Sequence, residues 1–335
     1  MKISFLAALL CCGLAPAQSS SSVVPTIVAS ANGFLSSLDE GQRSKVLFEF
    51  NDAAQRVKWS NLPVAMVPRA GLKMGDLTPA QRKAAMALLA TTLSKRGYEK
   101  VLAIVEGDEA LKAASSGRET TMFGRDLFYI SILGKPSVKD PWMLQFGGHH
   151  LALNITIVGS EGILTPSLTA AQPAKYTVEG RTVRPLGAEN DKAFALINAL
   201  DPGQQKQAIL NYKVADLVLG PGHDGKTIQP EGIKCSVMNQ SQQAMLLDLV
   251  GEWAGIINDQ AAAVRMAQIK ANLAATWFAW SGPTTNGMPA YYRIQGPTLV
   301  IEYAPQPLGG DPTMHIHTIY RDPTNDYGKK SVAHL

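Results

Sequence analysis

The clearest pattern of hydrophobic and polar positions lies near the C-terminus, in a run of β-branched and aromatic residues from Met314 to Pro323. Such a run predicts a β-strand. Successive strand side chains point to opposite faces, so we expect His315, His317 and Arg321 on one face. Two imidazoles on one face can offer neutral nitrogen atoms to a single metal ion. The alternative is a pair of half-buried histidines with backbone partners.

Four predicted helix starts share one pattern, in which a capping residue follows Leu or Met and precedes Gln by three positions. Asp, Thr and Asn accept hydrogen bonds from the free N–H groups of a first helical turn, and Gln at the third position reaches back. Each pattern therefore predicts a helix. The four capping residues are Asp39, Thr78, Asp201 and Asn239.

The spacing of these starts suggests a repeated unit. The interval from Leu38 to Leu77 nearly equals that from Leu200 to Met238, which favours a two-helix unit that occurs twice. The alternative is that the capping pattern is generic and carries no sign of repetition.

The predicted strands repeat as well. Residues 128–154 and 278–302 both contain an aromatic strand, a Gly/Pro turn, an aromatic pair, a glycine and an apolar strand. We predict an α+β fold of two related halves, each a helical unit plus antiparallel strands, packed as one compact protein. The expected boundaries are 18–185 and 186–335, and the second half carries the His-x-His strand.

A second histidine pair, His149-His150, follows two glycines at the head of the apolar run that contains Asn154. We interpret this run as a strand whose polar face begins with His150, which makes His150 the better candidate ligand. His149 is either a further ligand or a group that orients one.

Glu302 is the lone charge in the apolar segment from Leu299 to Tyr303. A buried, unpaired carboxylate is very costly, so it requires a partner. A metal ion would be one, with Glu302 as a ligand or as the general base beside the ion. Arg293 or Arg321 would be another, and the sequence leaves both interpretations open.

These residues together predict a site for one transition metal. Nitrogen ligands with one carboxylate suit Zn, Cu, Fe or Mn, whereas calcium prefers all-oxygen ligands. Such an ion can generate hydroxide for hydrolysis or bind dioxygen for oxidation. The candidate ligands are His149, His150, Glu302, His315 and His317.

The loop after the His-x-His strand offers further chemistry. Arg321 can hold an anionic group of a substrate, and Asp322 can orient an imidazole or act as a base. Ordinary turn chemistry is the alternative. Residues 220–227 match the phosphate-binding pattern G-x-x-x-x-G-K-[ST], but Pro230 follows too soon for the required helix, so we expect a mobile loop with His223 as an outlying ligand.

Residues 1–17 have the form of a signal peptide, with a charged start, an apolar run and Ala15-Pro16-Ala17. We therefore expect a secreted or periplasmic protein with no membrane segment after cleavage. Only Cys235 remains in the mature chain, so no internal disulfide can form. The net charge of +4 is not concentrated in any Lys/Arg run, which argues against a nucleic-acid partner.

Three sets of residues resemble the exported family called domain of unknown function 3500. They are the segment from Trp142 to Asn154, the segment from Tyr292 to Tyr303, and His315-Ile316-His317 with Arg321-Asp322-Pro323. The resemblance covers nearly all of the mature chain and implies no established activity. The chain departs from it at residues 304–307, Ala-Pro-Gln-Pro, where the family leads us to expect an acidic, Asn-rich turn.

Our first hypothesis is an exported mononuclear metalloenzyme, hydrolytic or oxidative, that acts on a small-molecule or extracellular polymer substrate. The alternative is a non-catalytic exported protein that binds a metal or a small ligand. A third interpretation is that the histidines only satisfy one another in the protein interior.

The signal sequence makes one direct prediction. Cleavage after Ala17 should give an exported chain that begins at Gln18, and intact-mass measurement of the exported protein tests this. A mass that still includes residues 1–17 would contradict it.

Overall fold

The protein is described by a computed structural model over residues 22–308 and 310–333, so the predicted signal peptide lies outside the described residues. It has an α+β fold. No helix within the described ranges is long and apolar enough to cross a membrane. The α-helices are α1 (Val24–Ser36), α2 (Glu40–Val46), α3 (Ala53–Arg56), α4 (Pro79–Thr92), α5 (Lys95–Ala114), α6 (Gly187–Ala199), α7 (Pro202–Ala208), α8 (Gln240–Ala254), α9 (Asp259–Ala271) and α10 (Lys329–Val332).

The strands form one large sheet and one separate ribbon. They are β1 (Leu47–Phe48), β2 (Leu72–Lys73), β3 (Tyr129–Leu133), β4 (Trp142–Gly148), β5 (Leu151–Val158), β6 (Glu161–Ile163), β7 (Ser167–Ala171), β8 (Tyr176–Val178), β9 (Arg181–Val183), β10 (Ile233–Lys234), β11 (Trp277–Ser281), β12 (Tyr291–Gly296), β13 (Leu299–Pro305) and β14 (Ile316–Arg321). The sheet order is β1-β3-β4-β5-β7-β14-β13-β12-β11-β10, with β2 also on β3 and β6 also on β5, and β8 pairs with β9. Apart from the parallel pair β1–β3, the pairings are antiparallel.

The predicted helix starts are confirmed. Each of the four forms a capping box, in which the side chain of the capping residue accepts from the third N–H and the Gln side chain accepts from the capping N–H. The Gln side chains also pair across helices, Gln42 with Gln81 and Gln204 with Gln242. The same polar contact therefore joins two helix starts at both places in the chain.

The element order of residues 24–171 recurs, apart from short insertions, in residues 187–321. In both stretches two helices lead to a short strand, two more helices and a set of antiparallel strands. Because β7 pairs with β14, one sheet continues across both stretches. That the two halves are related, and that they meet at 185/186, stay predictions.

The two faces of the sheet are covered differently. One face packs on helices; for example, Leu144 and Phe146 of β4 belong to the same apolar cluster as residues of α1, α4 and α5. The other face is covered by extended segments, where Trp59 packs with Ala170 of β7 and Ile319 of β14. The side chains of His317 and Arg321 point to this second face, since they alternate with the helix-facing Tyr320.

A buried ion cluster joins the helices of the two stretches. The Lys100 ammonium group of α5 contacts the carboxylates of Glu189 and Glu252, which are 0% and 2% exposed. Arg96 and Lys192 also pair with Glu252. Because burying an unpaired carboxylate is costly, the two acids require these cations.

Lys100→Met should therefore lower the free energy of unfolding by about 3–5 kcal/mol, because it leaves Glu189 buried without its cation. Chemical denaturation of the purified protein measures this change. Arg181→Ala is the control, since its ion pair with Glu179 is exposed on both sides and should matter by less than about 1 kcal/mol. Equal small losses in both variants would contradict the expectation.

Candidate metal centre

The two histidine motifs meet in space, as predicted. The Nε2 atom of His315 lies 3.0 Å from Nε2 of His150 and 3.0 Å from Nε2 of His317. One nitrogen atom from each of the three lies within 4.8 Å of the others, and all three residues are buried. The set can therefore hold a metal ion; we call these three residues the histidine cluster.

His150 owes its position to a tight turn. His149 and His150 are the two residues between β4 and β5, so the strand begins at Leu151 and not at His150 as the sequence suggested. The φ angle of His150 is 61°, in the left-handed region that few residues other than glycine adopt. Strain of this kind persists where the surroundings demand it, often at functional sites.

Hydrogen bonds to the other ring nitrogens orient two of the imidazoles. His315 Nδ1–H donates to the carbonyl of Leu308 at 2.8 Å, which leaves Nε2 with a free lone pair. His317 Nδ1 accepts from the Asn61 side-chain amide Nδ2 at 3.3 Å, and the Asp216 carboxylate lies 3.6 Å from the same ring nitrogen, which is an ion-pair distance and too long for a hydrogen bond. The His315 arrangement, in which an acceptor holds the Nδ1–H group, is the one that a metal-binding histidine needs.

Burial keeps the imidazoles of His150 and His315 neutral. It lowers the pKa of His150 well below its ordinary value, and the neighbouring imidazoles lower it further. Burial also lowers the pKa of His315 to about 4, although the hydrogen bond to Leu308 opposes the shift. Neutral imidazole is the form that binds metals, so these residues are ready to act as ligands at neutral pH.

Hydrogen bonds alone do not satisfy both contacts of His315. With its proton on Nδ1, His315 has one lone pair at Nε2 and cannot accept well from both neighbours. Two bonds of about 2.1 Å that meet at about 90° separate their nitrogen atoms by about 3.0 Å, whereas a tetrahedral angle separates them by about 3.4 Å. The observed 3.0 Å distances therefore allow one ion to bind both pairs of nitrogen atoms.

His149 lies beside the cluster. Its Nδ1 is 2.6 Å from the carboxylate of Asp108, and its ring stacks on that of His150 with 3.6 Å between centroids. Asp108 also accepts from the backbone N–H of Gly124 at 2.7 Å. Asp108, His149 and His150 form a second group whose atoms lie within 4.8 Å. Since the Asp108 bond occupies His149 Nδ1, the geometry supports the orienting role among the two predicted for His149.

Glu302 is not part of the histidine cluster, which corrects our expectation of a metal ligand or base. Its carboxylate accepts from the backbone N–H groups of Val218 and Leu219 at 2.8 and 2.7 Å, and from the hydroxyl of Tyr291 at 2.7 Å. The predicted need for a partner was right. The partners that the structure shows are two backbone N–H groups and a tyrosine hydroxyl, and no arginine pairs with Glu302 among the described residues.

Arg321 also has a different role from the one expected. Its guanidinium donates to the carbonyls of Leu219 and Gly220 and to the carboxylates of Asp224 and Asp326, at 2.7–3.0 Å. A guanidinium with these four partners, 2% exposed, is not free to hold a substrate anion. Arg321 therefore does not have the substrate-binding role that the sequence suggested.

Asp322 and His223 lie outside the cluster as well. Asp322 pairs with Arg265 at 3.0 Å and accepts from the N–H and hydroxyl of Thr324, so it closes the turn after β14 and is not a base at the site. His223 lies in the 220–227 loop and belongs to neither group of converging ligand atoms among the described residues.

The sequence reasoning missed three residues that contact the histidines: Asn61, Asp108 and Asp216. Asp108 had a readable signal, because it follows Val101 and Ile104 on the buried stripe of α5. A carboxylate on such a stripe needs a partner. Asn61 and Asp216 lie in irregular segments whose positions no local pattern predicts.

Fold and site together define a class: an α+β protein with a buried histidine cluster at the centre of one large sheet. The chain belongs to the family described as Protein of unknown function (DUF3500), whose model matches residues 20–329. This confirms the resemblance seen in the sequence. No curated protein and no solved structure matches the chain.

The left-handed turn makes a prediction for the metal-free protein. His150→Asn should be more stable than His150→Ala by roughly 1 kcal/mol, because Asn tolerates the left-handed conformation better than Ala. Denaturation in the presence of a chelator measures the difference. Equal stability of the two variants would mean that the turn relaxes when the imidazole is removed.

Proposed function

We propose that this protein is an exported enzyme that uses one transition-metal ion held by His150, His315 and His317. The observation that carries the proposal is the convergence of their ring nitrogens: Nε2 of His315 lies 3.0 Å from Nε2 of both His150 and His317, and one nitrogen of each residue lies within 4.8 Å of the others. The signal sequence motivates export. Zn, Cu, Fe and Mn all accept imidazole ligands, so the metal is one of these.

Three protein ligands would leave at least one position for water or a substrate. Bound water could supply hydroxide for hydrolysis, and a redox-active ion could bind dioxygen for oxidation. Both reaction classes stay within the proposal. A small molecule or an extracellular polymer would be the substrate.

The surroundings of the cluster support access from solvent. Leu308, whose carbonyl accepts from His315, is 75% exposed. The side chain of Asp216, which faces His317, is 56% exposed. An ion bound by the buried imidazoles would therefore lie close to the surface, which favours catalysis over deep metal storage.

A measurement of metal content tests whether the histidine cluster binds an ion. Protein purified without a His-tag and loaded with Zn²⁺, Cu²⁺ or Co²⁺ should retain about one ion per chain after dialysis, and the bound ion should raise the melting temperature. His317→Ala should lose the ion, because removal of one of three ligands opens the site.

His223→Ala is the matched control, since His223 lies outside the cluster, in the loop whose residues Gly220 and Asp224 contact Arg321 on the same face of the sheet. It should keep the full metal content. Equal metal content in the two variants, measured by elemental analysis, would rule out the histidine cluster as the site.

An anion titration tests the open position and separates an enzyme from a storage protein. Azide added to the copper- or cobalt-loaded protein should shift its visible spectrum, because azide replaces bound water. An unchanged spectrum with full metal content would favour the non-catalytic alternative.

A further inference from the structure

We infer that Glu302 and Arg321 are positioning residues of the metal centre, which hold residues 217–220 so that Asp216 orients His317. We call residues 217–220 the clamped segment. The inference rests on the proposed function, because it concerns the affinity and geometry of the same metal site.

Glu302 holds the clamped segment through its N–H groups. Both carboxylate oxygens are used, one by Val218 N–H and the Tyr291 hydroxyl and the other by Leu219 N–H. Glu302 is fully buried. Two successive N–H groups pointing at one carboxylate define the direction of the backbone at this point.

Arg321 holds the same segment through its carbonyl groups. Its Nε donates to the Leu219 carbonyl at 2.7 Å, and Nη2 donates to the Gly220 carbonyl at 3.0 Å. The guanidinium also lies over the ring of Trp59, 5.6 Å from its centre. Glu302 and Arg321, both buried, therefore hydrogen-bond to neighbouring peptide groups of one loop.

The two charges lie on the strand face that carries a metal ligand. Glu302 of β13 pairs with Ile319 of β14, which stands between His317 and Arg321 on that face. If the clamped segment moved away, Glu302 would lose two of its three donors and Arg321 would lose two of its four acceptors, which is unfavourable for buried charged groups. The segment is therefore held at a defined distance from His317.

Asp216 is the residue directly before the clamped segment, so the position of this segment determines where the Asp216 carboxylate lies relative to His317. Its carboxylate accepts from Gln306 Nε2 at 2.7 Å and faces His317 Nδ1 at 3.6 Å. This distance is too long for a direct hydrogen bond, and the Asn61 amide nitrogen lies closer to Nδ1, at 3.3 Å. The negative charge of Asp216 acts through space and favours the tautomer with the proton on Nδ1, which leaves Nε2 free for the metal. Loss of the clamp would free Asp216 and weaken this preference.

The experiment is a cobalt(II) titration of the full mature chain, read by the visible spectrum of the bound ion. Glu302→Gln should weaken cobalt binding by about tenfold or more and change the spectrum, as loss of groups that orient metal ligands commonly does. Asp216→Ala should weaken it similarly. The variant that carries both Glu302→Gln and Asp216→Ala should bind cobalt no more weakly than Asp216→Ala alone, because Glu302 acts through Asp216.

Glu189→Gln is the matched control. Glu189 is an equally buried glutamate, but it lies in the ion cluster on the helix side of the sheet. It should reduce thermal stability and leave the cobalt affinity and spectrum unchanged. If Glu302→Gln does not fold, Tyr291→Phe removes one donor to the same carboxylate and should weaken binding less, in the same direction.

The outcomes separate the two proposals. Additive effects of Glu302→Gln and Asp216→Ala, or equal loss of affinity in Glu189→Gln, would overturn the positioning inference. So would unchanged cobalt binding in both Glu302→Gln and Tyr291→Phe while the wild type binds the ion. A wild-type protein that binds no cobalt, zinc or copper would overturn the proposed function itself, and the positioning inference with it.

Discussion

The pairing of β7 with β14 is the constraint on which the histidine cluster depends. His317 stands opposite Ala170 across this pair, and the Ala170 N–H donates to the His150 carbonyl at 2.8 Å. Ala170 has only a methyl side chain, so the space between the two imidazoles stays open. A shift of one residue would turn His317 to the helix side. On that side the hydroxyls of Thr169 and Thr318, 2.8 Å apart and opposite each other, hold the register.

Helix α5 links this register to the rest of the interior. Near its start Lys100 meets the carboxylates of the ion cluster, and two turns later Asp108 meets His149. Both contacts are buried, so the helix cannot rotate or slide without leaving charged groups unpaired. His149 in turn stacks on His150. The Asp108–His149 contact therefore restrains the turn that places His150 on the sheet.

Short sequence patterns predicted the helix starts and the strand faces of this fold. Capping boxes depend on residues three positions apart, and strand faces depend on alternation, so both were readable. The same alternation led to a wrong assignment for Arg321. Residues four apart on a strand are separated by about 13 Å, so Arg321 can share a face with His317 and still lie far from its imidazole. The position of a residue on a strand does not show whether its side chain can bind a metal or holds a neighbouring loop in place.

The same limit applies to Glu302. A charge within an apolar strand indicates that a partner exists, but the partner is chosen by tertiary structure. Here the partners are N–H groups of a loop that precedes Glu302 by 84 and 83 residues. Loops of this kind have no periodic pattern, and their path depends on the buried charges that hold them. The residues that orient the imidazoles were therefore the hardest to predict.

The histidine cluster draws on distant parts of the chain: the β4–β5 turn, the strand β14, and the irregular segments that contain Asn61 and Asp216. Each part is held by a different interaction, so the nitrogen atoms converge only when all of them are folded. An ion bound there would stabilise the folded state alone. The buried charges that hold the irregular segments in place are thus part of the same equilibrium as the three histidines, although none of them would be a ligand of the ion.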